Sequence, residues 1–305
     1  MVRKTHLLTA VLAALALPAH AVVITNGVAG DGAWSVDVQD GGSASDGILD
    51  PVGSQGPTDV IFQYEHYVDV GADGGAVALS ATTVTSPAAL SGGAVLSEGS
   101  FAGTHDAIRW RARSTIAAGS TNYLTELVFE SDQPFGPVRL IQYLDEDVLD
   151  SSDDVLVVLG TPGAADFQLL TVDRTANVGV AHAATYLSAV GMSYIGWAAD
   201  EFADLLSAII SSGGASYSIA GVVDTADLPP MADPRFPGSP AFGPRDITSA
   251  IAFDLDPDAT FASVIFSLGG SPAGEPPEPP TTVPEPGTLV LLGAGLAALV
   301  RRGRR

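Results

Sequence analysis

No cysteine occurs among the 305 residues of this chain. That excludes disulfides, thiolate metal centres and cysteine nucleophiles, so stability outside a cell would rest on core burial and bound ions. Lysine is almost as scarce, with Lys4 the only one, and thirteen basic residues face thirty-five acids for a net charge of −22. Such an imbalance excludes nucleic acid and anionic membrane surfaces as partners, because both would be repelled. Histidine is limited to five residues, of which only His66, His105 and His182 lie in the central part of the chain. There is no His-Glu-x-x-His, no Gly-x-Ser-x-Gly and no phosphate-cradling glycine loop. The neighbours Glu65-His66 and His105-Asp106 read as surface or turn residues rather than a catalytic pair. A non-enzymatic body is therefore expected. The alternative is a secreted hydrolase of matrix polymer, glycoside hydrolase-like, in which two of the many carboxylates converge.

What is present starts at the two ends. Arg3 and Lys4 precede an uncharged run from Leu7 to Leu17, Pro18 interrupts it, and Ala19-His20-Ala21 offers the small residues a signal peptidase accepts. This is the order of a secretory signal peptide over residues 1–21, cleaved after Ala21 to leave Val22 first. At the other end Val283-Pro284-Glu285-Pro286 is followed by an apolar run from Gly287 to Val300 and then by Arg301, Arg302, Arg304 and Arg305. Fourteen helical residues reach roughly 21 Å, short of the ~30 Å hydrocarbon core. The terminal arginines supply the stop, since they snorkel and remain on the cytoplasmic side. An N-terminal signal helix and a C-terminal membrane helix would thus hold the body outside and the arginines inside.

The order of tripeptide, short apolar helix and arginine cluster resembles the PEP-CTERM sorting signal of Gram-negative bacteria. The resemblance covers residues 283–305. It implies recognition of Pro284-Glu285-Pro286 by an exosortase, a membrane-embedded cysteine transpeptidase, after transient anchoring in the inner membrane. It also implies delivery to the cell surface or extracellular matrix, with a structural or adhesive role in exopolysaccharide or biofilm.

Removing residues 1–21 and 287–305 takes away six basic residues and no acidic ones, leaving seven arginines against thirty-five acids, a net charge of −28. Between residues 22 and 268, short runs recur between Gly, Pro, Asp and Ser. They are Trp34–Val38, Val60–Tyr64, Val77–Val84, Ala107–Ile116, Tyr123–Glu130, Val138–Leu144, Val155–Leu159, Phe167–Val172, Tyr217–Val223, Ile247–Leu255 and Ser263–Leu268. Many short strands with turn signals between them predict an antiparallel β-sandwich or barrel. One segment differs: Phe202, Leu205, Leu206, Ile209 and Ile210 have the spacing of an amphipathic helix over about 200–212. The six prolines of 229–244 predict a long surface loop, packed by Met231, Phe236 and Phe242 or mobile. Residues 269–282 read as a Pro/Glu-rich linker.

Two acidic clusters are candidate cation sites. The first holds Asp145, Glu146, Asp147, Asp150, Asp153 and Asp154 between two expected strands; the second is Asp254, Asp256 and Asp258. Carboxylates so crowded repel one another unless a cation neutralises them, and calcium, with six to eight oxygen ligands, suits an extracellular loop. Neither spacing is that of an EF-hand, so both also read as solvated acidic loops. Arg109, Arg111 and Arg113 alternate with Ile108, Trp110 and Ala112, which places three of the body's seven arginines on one strand face. They serve either cross-strand ion pairing or the gripping of acidic exopolysaccharide.

Overall fold

The computed structural model describes residues 21–50, 56–70, 76–90, 93–101, 107–150, 153–174, 179–210 and 225–271. The predicted signal helix, most of the linker, the tail, His105-Asp106 and the predicted strand 217–223 lie outside these residues.

In chain order the strands are β1 (Val22–Thr25), β2 (Trp34–Val38), β3 (Ala44–Leu49), β4 (Thr58–Ile61), β5 (Gln63–Asp69), β6 (Val77–Ala78) and β7 (Thr83–Ala89). Next come β8 (Val95–Ser100), β9 (Ile108–Ile116), β10 (Asn122–Ser131), β11 (Arg139–Asp145), β12 (Asp154–Leu159), β13 (Gln168–Asp173) and β14 (Gly179–Val190). The series ends with β15 (Met192–Glu201), the helix α1 (Phe202–Ile210), β16 (Thr225–Ala226), β17 (Pro230–Met231), β18 (Ala241–Arg245), β19 (Ile247–Leu255) and β20 (Phe261–Ser271).

They form two sheets. The first runs β1-β2-β3-β5-β11-β19-β15-β16, with β4 on β3 and β6 on β5; the second runs β17-β18-β12-β13-β14-β20-β10-β9-β8-β7. Every pairing is antiparallel except β15 with β16. Side chains of period two set this arrangement. Along β9, Ile108, Trp110, Ala112, Ser114 and Ile116 are buried, while the arginines between them face outward.

The inner faces meet in two apolar clusters. One is built on Trp110, Phe129, Leu140, Phe253 and Phe266, the other on Trp34, Tyr64, Tyr123 and Leu144. Each such side chain withdrawn from water contributes about 1.5–3 kcal/mol. Both outer faces are partly covered as well. Leu205 and Ile209 of α1 pack on Tyr67, Ile141, Tyr143, Ala250 and Ala252 of the first sheet. Met231 and Phe236 of the proline-rich loop pack on Val155, Val157, Leu170 and Val172 of the second. Arg235 fastens that loop: its guanidinium donates to Asp233 and, at 2.8 Å, to the carbonyl of Asp173. The fold is thus the expected antiparallel sandwich with an amphipathic helix. Strand β20 runs three residues past the expected end of the body, with Gly269 opposite Asn122 and Ser271 opposite Gly179.

Candidate functional site

The three arginines of β9 lie on the solvent face of the second sheet, each opposite a carboxylate. Arg109 is 3.5 Å from Asp132, Arg111 is 3.1 Å from Glu130 and Arg113 is 4.0 Å from Glu126. Register sets Arg113 opposite Glu126 and Arg109 opposite Glu130 on β10, and Arg111 opposite Glu98 on β8, while Arg109 and Arg111 each bridge to a carboxylate two residues past their register partner on β10. The face is a ladder of alternating sign, and each exposed pair contributes about 0.2–1 kcal/mol.

The first acidic cluster divides its members among different surroundings. Asp145 closes β11, where alternation continues outward from Ile141 and Tyr143, and it is only 4% exposed. Burial, then the negative charges of Asp246 and Asp147, push its carboxyl up to about 8. Glu146 turns to the other side and is fully buried. Its Oε1 accepts from Thr171 Oγ of the second sheet at 3.0 Å and from Ser249 Oγ of the first at 3.3 Å, so it bridges the sandwich. Burial above all, with Asp145 and Asp154 adding to it, raises this carboxyl well above the usual range. Asp154 is buried at the start of β12, opposite Asp173, whereas Asp147 and Asp153 are half-buried. The Asp150 side chain lies outside the described residues. Val148 is fully buried and Leu149 holds a left-handed φ of 64°. A residue with a Cβ spends about 1–2 kcal/mol in that region, so the anchored turn is held against strain.

The second cluster is divided too. Asp254 is engaged by Arg139, whose Nε and a terminal nitrogen donate to its two oxygens at 2.7 and 2.9 Å. Asp256 accepts from the backbone of Asp258 at 3.0 Å and so shapes the turn after β19. Among the described residues, no three acidic or histidine side chains are placed to hold a metal ion as they stand.

Two groups expected at the surface are buried instead. Glu65 and His66 occupy successive positions of β5, facing opposite sides of the first sheet. Glu65 accepts from Ser80 Oγ at 2.9 Å and from the His66 backbone at 3.1 Å. Burial outweighs those bonds and lifts it to about 7. The His66 ring lies in the core with no hydrogen bond to either nitrogen. It stacks on Phe266 at 5.5 Å and meets Tyr64 edge-on at 4.9 Å. Burial pushes its pKa down to about 3, so the imidazole is neutral. Alternation marks which face a residue takes, but not that Ser80, fifteen residues on, closes over Glu65.

Residues 282–305 match the PEP-CTERM protein-sorting motif. The chain therefore carries an exosortase sorting tail, which supports export towards the cell surface. No helix among the described residues is long and apolar enough to cross a membrane; the tail lies outside them. No curated protein matches the chain. Among solved structures it is similar to a bacterial glucoamylase complexed with acarbose, at 10% identity and a TM-score of 0.49 over 81% of this chain. It spans 32% of that protein's length. A likeness of that degree assigns no activity.

Proposed function

We propose that the chain is a structural or adhesive component of the extracellular matrix, with a non-catalytic body delivered by its tail. The sorting motif at residues 282–305 is the observation that carries this reading. The arginine ladder suits it as a grip for acidic polymer. Arg109 and Arg113 sit 3.5 and 4.0 Å from their carboxylates and are 54% and 44% exposed, so a polymer carboxylate can replace either partner at little cost. Calcium is the ion expected to join the remaining acidic surface to such a polymer, through carboxylates such as Asp147, Asp153, Asp256 and Asp258.

The test follows the protein through the cell. Changing Pro284, Glu285 and Pro286 to alanine should leave it in the inner-membrane fraction; unchanged appearance in the matrix would refute the sorting role. Changing Arg109, Arg111 and Arg113 to glutamine should lower retention on acidic exopolysaccharide without altering the sorting. Equal retention would leave the ladder as cross-strand pairing only.

A further inference from the structure

Four strands of the first sheet bring an aromatic pair and a group of acids to one end. Asp145, the last residue of β11, stands in register with Gln63 of β5 and Thr248 of β19, and Glu201, the last of β15, stands opposite Ile247. Phe62 and Asp246 immediately precede β5 and β19, and Phe202 follows Glu201 as the first residue of α1. Phe202 meets Phe62 edge-on, with ring centroids 6.3 Å apart, yet Phe62 stays 56% exposed. Carboxylates surround the pair. The charges of Asp246 and Asp147 bear on Asp145, that of Glu201 on Asp246, and those of Asp227, Asp204 and Glu201 on Asp200. Asp204, Asp227 and Asp246 are exposed. Arg245 answers Glu201 at 2.8 Å, which leaves the group strongly negative. Asp145 is buried beside Asp246, and among the described residues nothing donates a hydrogen bond to its carboxyl.

We infer that this end of the sheet binds a cationic amino-sugar polymer, a chain of pyranose rings carrying protonated amines. The charge calls for a cation. Among the described residues no three acidic or histidine side chains converge as a metal site requires, so the demand is spread over the surface and suits a chain of repeated charges. A second copy of this protein is repelled by its own excess of acid. A linear polyamine brings charge but nothing to cover Phe62. An amino sugar supplies both: the C–H face of its ring packs on the phenyl group, and its ammonium pairs with Asp246 or Asp204. A stiff chain of rings also loses less conformational entropy than a basic peptide that must order on binding. The site lies on the other sheet from the arginine ladder and takes polymer of the opposite charge. The choice of a polysaccharide rests on the matrix reading, whereas binding by the purified protein needs no sorting, so the two fail separately.

The full chain in non-ionic detergent micelles would be titrated calorimetrically, at low ionic strength and mildly acidic pH, with the β-1,4-glucosamine hexamer. Its N-acetylated counterpart has the same rings without the charge, and hexalysine has the charge without the rings. The glucosamine hexamer should bind with a dissociation constant of about 1 mM or below, and both comparisons at least about fivefold more weakly. Phe62→Ala and Asp246→Asn change exposed side chains and should each weaken binding about fivefold, with melting curves close to the parent's. Phe62→Trp should retain it, because the stacking surface is kept. Replacing Arg109, Arg111 and Arg113 by glutamine should leave it unchanged. The inference is overturned if the glucosamine hexamer does not bind, or if either comparison binds within fivefold of it. A tight hexalysine complex would make the surface a site for basic peptides instead. Binding of Phe62→Ala or Asp246→Asn within twofold of the parent would overturn it equally.

Discussion

The pair Glu65-His66 predicts an unusual pH dependence of stability. Glu65 titrates near 7 in the folded chain instead of 4.5. Between those pH values the unfolded chain has released this proton and the folded chain has not, so stability falls as pH rises. At 1.36 kcal/mol per pH unit the loss reaches about 3 kcal/mol by pH 7. His66 acts in the opposite sense: its folded pKa is lowered from 6.5 to about 3, so its contribution is lost as pH falls below 6.5. From pH 4.5 to 6.5 the two slopes are equal and opposite. In Glu65→Gln one of them is removed. Gln cannot ionise, and its amide oxygen still accepts from the His66 backbone while its nitrogen faces Ser80 Oγ. Any change in those hydrogen bonds is a constant offset, and the slopes of Asp145 and Glu146 are common to both proteins. The difference in unfolding free energy, variant minus parent, should therefore rise by about 3 kcal/mol from pH 4.5 to 7 and then level off. For a body of this size that corresponds to about 6–12 °C in melting temperature. Denaturant unfolding at half-unit steps measures it. Parallel curves across that range would show that Glu65 is ionised in the folded chain, and the argument from its burial would fail.

The same sign holds for Asp145, raised from 3.8 to about 8. Asp145→Asn should gain stability over the parent progressively from pH 4 to 8, by more than about 2 kcal/mol, read by denaturant unfolding. Trp110 is 1% exposed and its indole N–H donates to Thr82 Oγ at 2.9 Å. Trp110→Ala should cost about 3–5 kcal/mol in the same measurement. Gly42 has φ +74°, and a Cβ there would lie 2.9 Å from the Ala112 Cβ and 3.1 Å from the Thr125 methyl. Gly42→Ala should destabilise by about 2–4 kcal/mol, from backbone strain and overpacking between the sheets.

Strong alternation was the most legible feature of the sequence. The predicted run Ala107–Ile116 became β9 (Ile108–Ile116), and the spacing of Phe202, Leu205 and Ile209 became α1 (Phe202–Ile210). Sequence alone leaves the proline-rich loop either packed by Met231, Phe236 and Phe242 or mobile; Met231 and Phe236 pack on the second sheet. The longest strand, β14, is absent from the predicted runs because GVAHAATYLSAV is rich in alanine, which favours strands poorly. The acidic clusters were legible as composition but not as geometry. Asp145 and Glu146 are adjacent in sequence yet face opposite sides of a sheet, and Asp254 is held by Arg139, 115 positions away. Only the strand order β5-β11-β19 brings Asp69, Arg139 and Asp254 into one row, and no local pattern specifies that order.

The topology also bears on how a tail can be processed without unfolding the body. The described body ends with β20, which is no edge strand: β14 pairs with one side of it and β10 with the other. Ten residues separate Ser271 from the start of the sorting motif at residue 282. Even fully extended, a connection of that length reaches no more than about 35–40 Å. A tension applied through the tail would act along β20 and load both neighbouring ladders in shear, so many hydrogen bonds would have to break together. An edge strand would instead peel away one bond at a time. Attachment through a central strand therefore lets the tail carry load while the sandwich, and the carboxyls buried in it, keep their native surroundings.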